Sequence, residues 1–138
     1  MDADVDHVCE VLPLSRLFQG NGNYFVAWAG KEPVGHLYLA YTSPPELQDL
    51  VVREQYRRQR VATALIDTAE TECRRLRCAL VRVSVSIDNA EARTLYESLG
   101  YHDAGLVPRR VHGTVQIRTG PLEVDDTLLT YERTLELA

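Results

Sequence analysis

Apolar residues return at every second position over 79–87, where Ala79, Val81, Val83, Val85 and Ile87 alternate with Arg82, Ser84 and Ser86. That is the period of a half-buried strand. Just upstream the period changes. Val61, Leu65, Ala69, Cys73 and Leu76 recur at steps of four or three, which lays one apolar stripe along a helix over 60–76. Ala92, Leu95 and Leu99 predict a second helix over 90–99, with Gly100 where a glycine ends a helix.

The first third reads as β-rich. Residues 5–12 are a strand candidate, 14–18 could form a short helical turn, and Gly20-Asn21-Gly22-Asn23 breaks the chain. Tyr24, Phe25, Val26 and Trp28 mark a strand over 23–29, and a turn at Gly30-Lys31-Glu32-Pro33 leads into a second run over 34–41. Two such runs around a Gly/Pro turn predict a β-hairpin. Thr42-Ser43-Pro44-Pro45 interrupts, and 46–53 resumes as a strand. After the second helix, 101–107 is a shorter strand candidate and 108–126, with two prolines and two glycines, is a long excursion or irregular hairpin. Residues 127–137 close as a strand. The hairpin predicts antiparallel pairing and the strand-helix-strand order a parallel pair. The expectation is one mixed-sheet α/β domain over 1–138.

Composition narrows the function. A length of 138 residues with 45% apolar content suits one packed core. No apolar run is long enough to cross a membrane, and Asp2, Asp4 and Asp6 leave no basic, apolar leader at the start. The expected location is cytoplasmic. Cys9, Cys73 and Cys78 lack metal-ligand spacing and read as reduced packing thiols, with no metal. A net charge of −5 argues against nucleic acid as a partner. Yet Arg53, Arg57, Arg58 and Arg60 crowd between a strand and a helix. The first turn of a helix has unbonded N–H groups and a positive dipole end, so this block is a candidate phosphate seat. A solvated arginine face is the competing reading.

The block Arg57-Arg58-Gln59-Arg60-Val61-Ala62-Thr63 resembles the acyl-CoA-binding motif of the GCN5-related N-acetyltransferases, Gln/Arg-x-x-Gly-x-Gly/Ala between a strand and a long helix. The segment from Asn89 through Tyr96 to Leu99-Gly100-Tyr101 resembles the same family's second motif, so the resemblance spans about residues 47–105, near half the chain. It implies that Arg57, Arg58, Gln59, Arg60, Val61, Ala62 and Thr63 hold the CoA pyrophosphate. It implies too that Leu50, Val51 and Val52 bond the pantetheine arm, with Asn89 as both helix cap and CoA contact. The implied activity is acetyl transfer from acetyl-CoA to a primary amine of a small molecule, peptide or protein. One position departs from the pattern: Arg60 stands where the family has its central glycine, whose lack of a side chain lets the backbone approach the phosphates. That departure carries the alternative reading, an acyl-CoA-binding regulatory or sensor module without turnover. A nucleotide-binding domain is a weaker third, because both glycine-rich nucleotide fingerprints are absent.

The resemblance also assigns roles. Tyr96 matches the tyrosine that gives a proton to the leaving thiolate, and packing is its alternative. Asp49 or Glu46, on the strand entering the site, is the candidate base. Backbone N–H from Val51 or Val52 would polarise the thioester carbonyl. His36 and His102 read as structural. Arg109, Arg110, His112 and Arg118 could shape the acceptor pocket or form a solvated loop. The short region before the hairpin suggests an open acceptor cleft or one completed by a partner subunit, with a homodimer expected by analogy.

Overall fold

The computed structural model describes residues 3–14, 21–117 and 119–136. In order they form α1 (Ala3–Val11), β1 (Gly22–Ala29), β2 (Glu32–Ala40), β3 (Glu46–Val52), α2 (Val61–Arg75), β4 (Leu80–Ser86), α3 (Ala90–Ser98), β5 (His102–Asp103), β6 (Arg109–Ile117) and β7 (Gly120–Thr134). A single 3-10 turn, Glu54–Tyr56, follows β3. The strands make one mixed sheet in the order β1-β2-β3-β4-β7-β5, with β6 also beside β7. Among the described strands, only β3 and β4 pair in parallel, as the intervening helix requires.

Alternation along β4 decides the layers. Val81, Val83 and Val85 are buried with Leu65, Ile66 and Ala69 of α2 and Tyr96 of α3, so both helices cover one face of the sheet. Arg82, Ser84 and Ser86 point to the other face. Gly35 lets α2 sit close: a Cβ there would lie 3.0 Å from the Val51 carbonyl oxygen and 3.2 Å from Val61 at the helix start. Cys73 is fully buried in this core, and burial pushes its thiol up to about 11, which suits an inert packing thiol.

Four sequence expectations change. Residues 5–12 are not a strand but lie in and just after α1. Val5, Val8 and Leu12 are spaced by three and four, and Val8 and Leu12 pack with Leu14 against Tyr24 and Val26 of β1. The strand over 101–107 shrinks to His102–Asp103, because the Gly105 N–H bonds the Asp103 carboxylate at 2.8 Å and Gly105 turns to φ +77. The excursion over 108–126 is a regular hairpin, with β6 and β7 paired from Arg109↔Leu128 to Ile117↔Gly120. Its glycines serve the turn and a positive-φ position rather than breaking the strands, and β7 therefore starts at Gly120 and ends at Thr134. The turn expected over 14–18 falls mostly outside the described residues. Among the described residues no helix is long and apolar enough to cross a membrane.

Candidate active site

Parallel pairing of β3 with β4 runs only through Glu46↔Arg82 and Leu47↔Val83. Beyond it the strands part and leave a slit. A bulge sharpens the parting: Leu37 of β2 faces both Asp49 and Leu50, and Asp49 takes φ 50. An aspartate tolerates that left-handed conformation better than most residues, and a bulge redirects the strand. The slit, about 180 Å³, is bordered by Gln48 and Asp49 on one side, Ser84 and Ser86 on the other, with Leu95 and Tyr96 of α3 at its back. It opens into a groove of about 540 Å³ that runs along Leu50, Val51 and Val52 to the start of α2, and Asn89, Ala92 and Leu95 border both.

The far end of the groove is built for an anion. No side chain caps α2, and the first helical bond there is Ala64 N–H to the Arg60 carbonyl at 3.0 Å. The N–H groups of Val61, Ala62 and Thr63 therefore lie in the uncapped first turn, with Arg57, Arg58 and Arg60 on the same wall. The Arg57 Nε also donates to the Val52 carbonyl at 3.1 Å, tying the loop to β3. Arg53 is drawn away to Glu32 at 3.4 Å and stacks over Tyr56. Gln59 donates to the Gln55 carbonyl at 3.3 Å and does not border the groove.

Arg60 resolves into a question of backbone shape. It adopts φ 63, ψ 22, the left-handed region that glycine occupies without strain, and its side chain is exposed. The geometry a glycine would supply is thus present, held at a cost of about 1–2 kcal/mol. Arg60→Gly should relieve that strain while giving back roughly 0.5–1 kcal/mol of unfolded-chain entropy. The expected result is a net gain of about 0.5–1 kcal/mol, read as a small rise in thermal midpoint. An unchanged or lower midpoint would show the left-handed loop is not strained by arginine.

The candidate catalytic groups separate in space. Asp49 borders the slit, and its Oδ2 accepts a 2.6 Å hydrogen bond from the Tyr24 hydroxyl and lies 3.8 Å from Nδ1 of the fully buried His36. Tyr24 in turn meets His36 edge-on at 5.6 Å. Glu46 does not border the slit; it accepts from Ser84 at 3.2 Å and Gln48 at 3.5 Å. Tyr96 is 4% exposed and meets Tyr101 edge-on at 5.4 Å. Burial pushes its hydroxyl well above the ordinary tyrosine range, so it stays protonated at neutral pH. Asn89 caps α3, accepting from the Ala92 N–H at 3.0 Å. The Arg53 N–H bonds the Val34 carbonyl, so alternation turns the N–H of Val52, rather than Val51, toward the groove.

Sequence reading did not single out Tyr24, Ser84 or Ser86 and gave His36 only a structural role. Ser86 donates to Asp126 at 2.8 Å and Arg109 donates to Ser84 at 3.0 Å, so the late hairpin reaches the slit through Arg109 and Asp126. Arg110 pairs with Asp125 and His112 and His102 are exposed; Arg118 lies outside the described residues. Among the described residues no group of three or more His, Cys, Asp or Glu is placed to hold a metal ion.

The model of the acetyltransferase (GNAT) family matches residues 4–101. That is more than half of the chain, and the chain belongs to this family of acyl-transferring enzymes. Comparison with curated protein sequences finds no match. Among solved structures, the chain resembles the ribosomal-protein-S18-alanine N-acetyltransferase of Escherichia coli, with a TM-score of 0.71, 19% identity and coverage of 100% of this chain and 92% of that one. It also resembles a GNAT family acetyltransferase from Elizabethkingia anophelis with acetyl-CoA bound (TM-score 0.67, 12% identity, 83% and 77% coverage). A third is a Bacillus subtilis acetyltransferase in complex with CoA (TM-score 0.68, 18% identity, 95% and 84% coverage). These likenesses match the mixed sheet described above.

Proposed function

We propose that this enzyme moves an acetyl group from acetyl-CoA to a primary amine of a small molecule, peptide or protein. The observation that carries the proposal is the unbroken path from the uncapped, arginine-flanked start of α2, along β3, to the slit between Asp49 and Tyr96. A pyrophosphate fits the anion end, because unbonded first-turn amides and guanidinium groups are its ordinary partners. The open edge of β3 at Leu50 and Val52 offers backbone groups for an amide-bearing arm. Two of the similar structures hold acetyl-CoA or CoA, which supports that donor.

In this reading Asp49 removes the proton from an ammonium acceptor, directly or through a water. The amine then attacks the thioester carbonyl, and the Val52 N–H stabilises the developing oxyanion. When the carbon–sulfur bond breaks, Tyr96 gives its proton to the departing thiolate, the nitrogen releases its second proton to solvent, and solvent returns one to the Tyr96 oxygen. Tyr24 and His36 stand behind Asp49 and hold its carboxylate toward the slit. The Escherichia coli neighbour is named for an alanine of a ribosomal protein, so peptides with free N-termini belong in the acceptor screen beside small amines.

Calorimetric titration with acetyl-CoA, with ATP and NAD as controls, tests the donor. A thiol-release assay across the amine panel tests turnover. Saturable binding of acetyl-CoA alone, followed by amine-dependent CoA release, is the expected result. No binding at millimolar ligand overturns the proposal. Binding without turnover for any amine would favour the sensor module instead.

A further inference from the structure

The slit passes between two faces of the sheet that differ in chemistry. On the helix-covered side Leu95 and Tyr96 stand at its back, and the groove from α2 arrives there. On the other face its borders are polar. Ser84 and Ser86 point that way because Val83 and Val85 point to the helices. Asp49 reaches the same face, since the Tyr24 hydroxyl that holds it belongs to a residue packed with α1. A donor lying in the groove therefore leaves this far mouth to the acceptor.

Most charges around the far mouth are matched. Asp49 accepts from Tyr24, Asp126 accepts from Ser86 and the Thr127 N–H, and Arg82 pairs with Glu132 at 3.1 Å. Glu46 accepts from Ser84 and Gln48. Arg109 differs. It stands opposite Leu128, which stands opposite Ser86, so β7 lies between Arg109 and β4. Its side chain crosses that strand, a span of about 10 Å from β6 to β4, and donates to the Ser84 hydroxyl at 3.0 Å. Among the described residues no carboxylate lies within ion-pair distance of this guanidinium. One bond to a neutral hydroxyl leaves most of its five N–H donors unused, enough for a two-pronged grip on a carboxylate.

We infer that Arg109 selects the acceptor: the amine that is acetylated carries a carboxylate of its own, held by Arg109 while Asp49 faces the ammonium. The inference rests on the acetyl-transfer reading above and names its substrate class. Asp49 and Ser84 stand on neighbouring strands, which lie about 4.8 Å apart where they pair and farther apart at the slit. The two charges of the acceptor are thus separated by a few bonds, as in a free amino acid or a short ω-amino acid. Opposite charges at the two ends also fix the orientation. A reversed acceptor sets carboxylate against Asp49 and ammonium against Arg109, and a diamine brings its second ammonium to Arg109.

The test compares acceptors in pairs. Free amino acids and short ω-amino acids are assayed by CoA release against their own carboxamides, which keep the amine and the chain and lose the negative charge. Wild type should favour the acid by about 10-fold or more in kcat/KM, a size tempered by the exposure of Arg109. Arg109→Gln should bring that ratio to parity by raising the KM of the acid, and Arg109→Glu should invert it. Comparing ratios cancels the different basicities of the paired amines, and a loss of folded protein lowers both members alike. A wild-type preference for the carboxamides, or for amines with no carboxylate, overturns the inference and leaves acetyl transfer standing. A preference for the acid that survives Arg109→Gln overturns it equally. If no amine of any kind releases CoA, acetyl transfer itself fails and this inference falls with it.

Discussion

Replacing Tyr96 by phenylalanine should lower kcat by about 100-fold or more while leaving acetyl-CoA affinity within a few-fold of wild type, since a positioned acid contributes on the order of 10²–10⁴. The ring would keep its packing against Tyr101 and the helix-covered face of the sheet; only the hydroxyl is lost, so the fold should not change. The pH profile sharpens the test. Burial raises the hydroxyl well above its ordinary value, which keeps the protonated, donating form in place throughout the neutral and mildly alkaline range. Wild-type kcat should therefore show no falling alkaline limb from this group below about pH 10. A rise with pH, from deprotonation of the acceptor amine and its base, should be all that appears. An unchanged kcat in the phenylalanine variant would mean that water protonates the thiolate and that Tyr96 only packs. A large loss of acetyl-CoA affinity would mean the hydroxyl positions the donor.

Much of this site could be read from residue pattern, and the reason lies in how local its signals are. The phosphate end is a strand, a short basic loop and a helix start, all within the contiguous stretch from β3 to α2. Spacing alone places them together. The same holds for Asn89, which caps α3 from the position directly before it. The groups that surround Asp49 were hidden for the opposite reason. Tyr24, His36 and Asp49 sit on three strands, and their meeting depends on the registers Val26↔His36 and His36↔Val51 together with a bulge that no single strand displays. Glu46 shows the same limit. On sequence it is as good a base as Asp49, but parallel pairing at Glu46↔Arg82 closes the sheet there and the slit opens only farther along.

The ends of the chain were harder for a different reason. α1 is short, and the apolar residues at 5, 8 and 12, in and just after it, are few enough to pass for a strand until Val8 and Leu12 are seen against β1. The late hairpin contains Gly113, Gly120 and Pro121, residues that usually punctuate strands. Here two of them occupy positive-φ positions that a hairpin and its turn can use, and the third lies beside the turn. Composition could not distinguish these uses, because the difference lies in backbone angles rather than in residue type.

The largest stability effect should come from Glu70, which is 2% exposed. Its two oxygens tie three elements together: Oε2 accepts from the Tyr101 hydroxyl at 2.7 Å and Oε1 from Arg133 at 2.7 Å, with Arg74 at 4.0 Å. The bonds join α2 to β7 and to Tyr101, in the connection between α3 and β5. Glu70→Ala should destabilise the fold by about 3 kcal/mol, which sums the stranding of a buried hydroxyl and the lost side-chain volume. The arginine share is discounted, because Arg74 and Arg133 are each 34% exposed and can turn to water. The Tyr101 hydroxyl has no such escape, since its residue is 2% exposed. Adding Tyr101→Phe to Glu70→Ala should then cost less than the two single changes together, because the second removes the group the first leaves unbonded. Chemical denaturation of the four proteins measures all of this. A loss below about 1 kcal/mol for Glu70→Ala would place it with ordinary surface ion pairs, and strict additivity would show that the tyrosine and the carboxylate do not depend on one another.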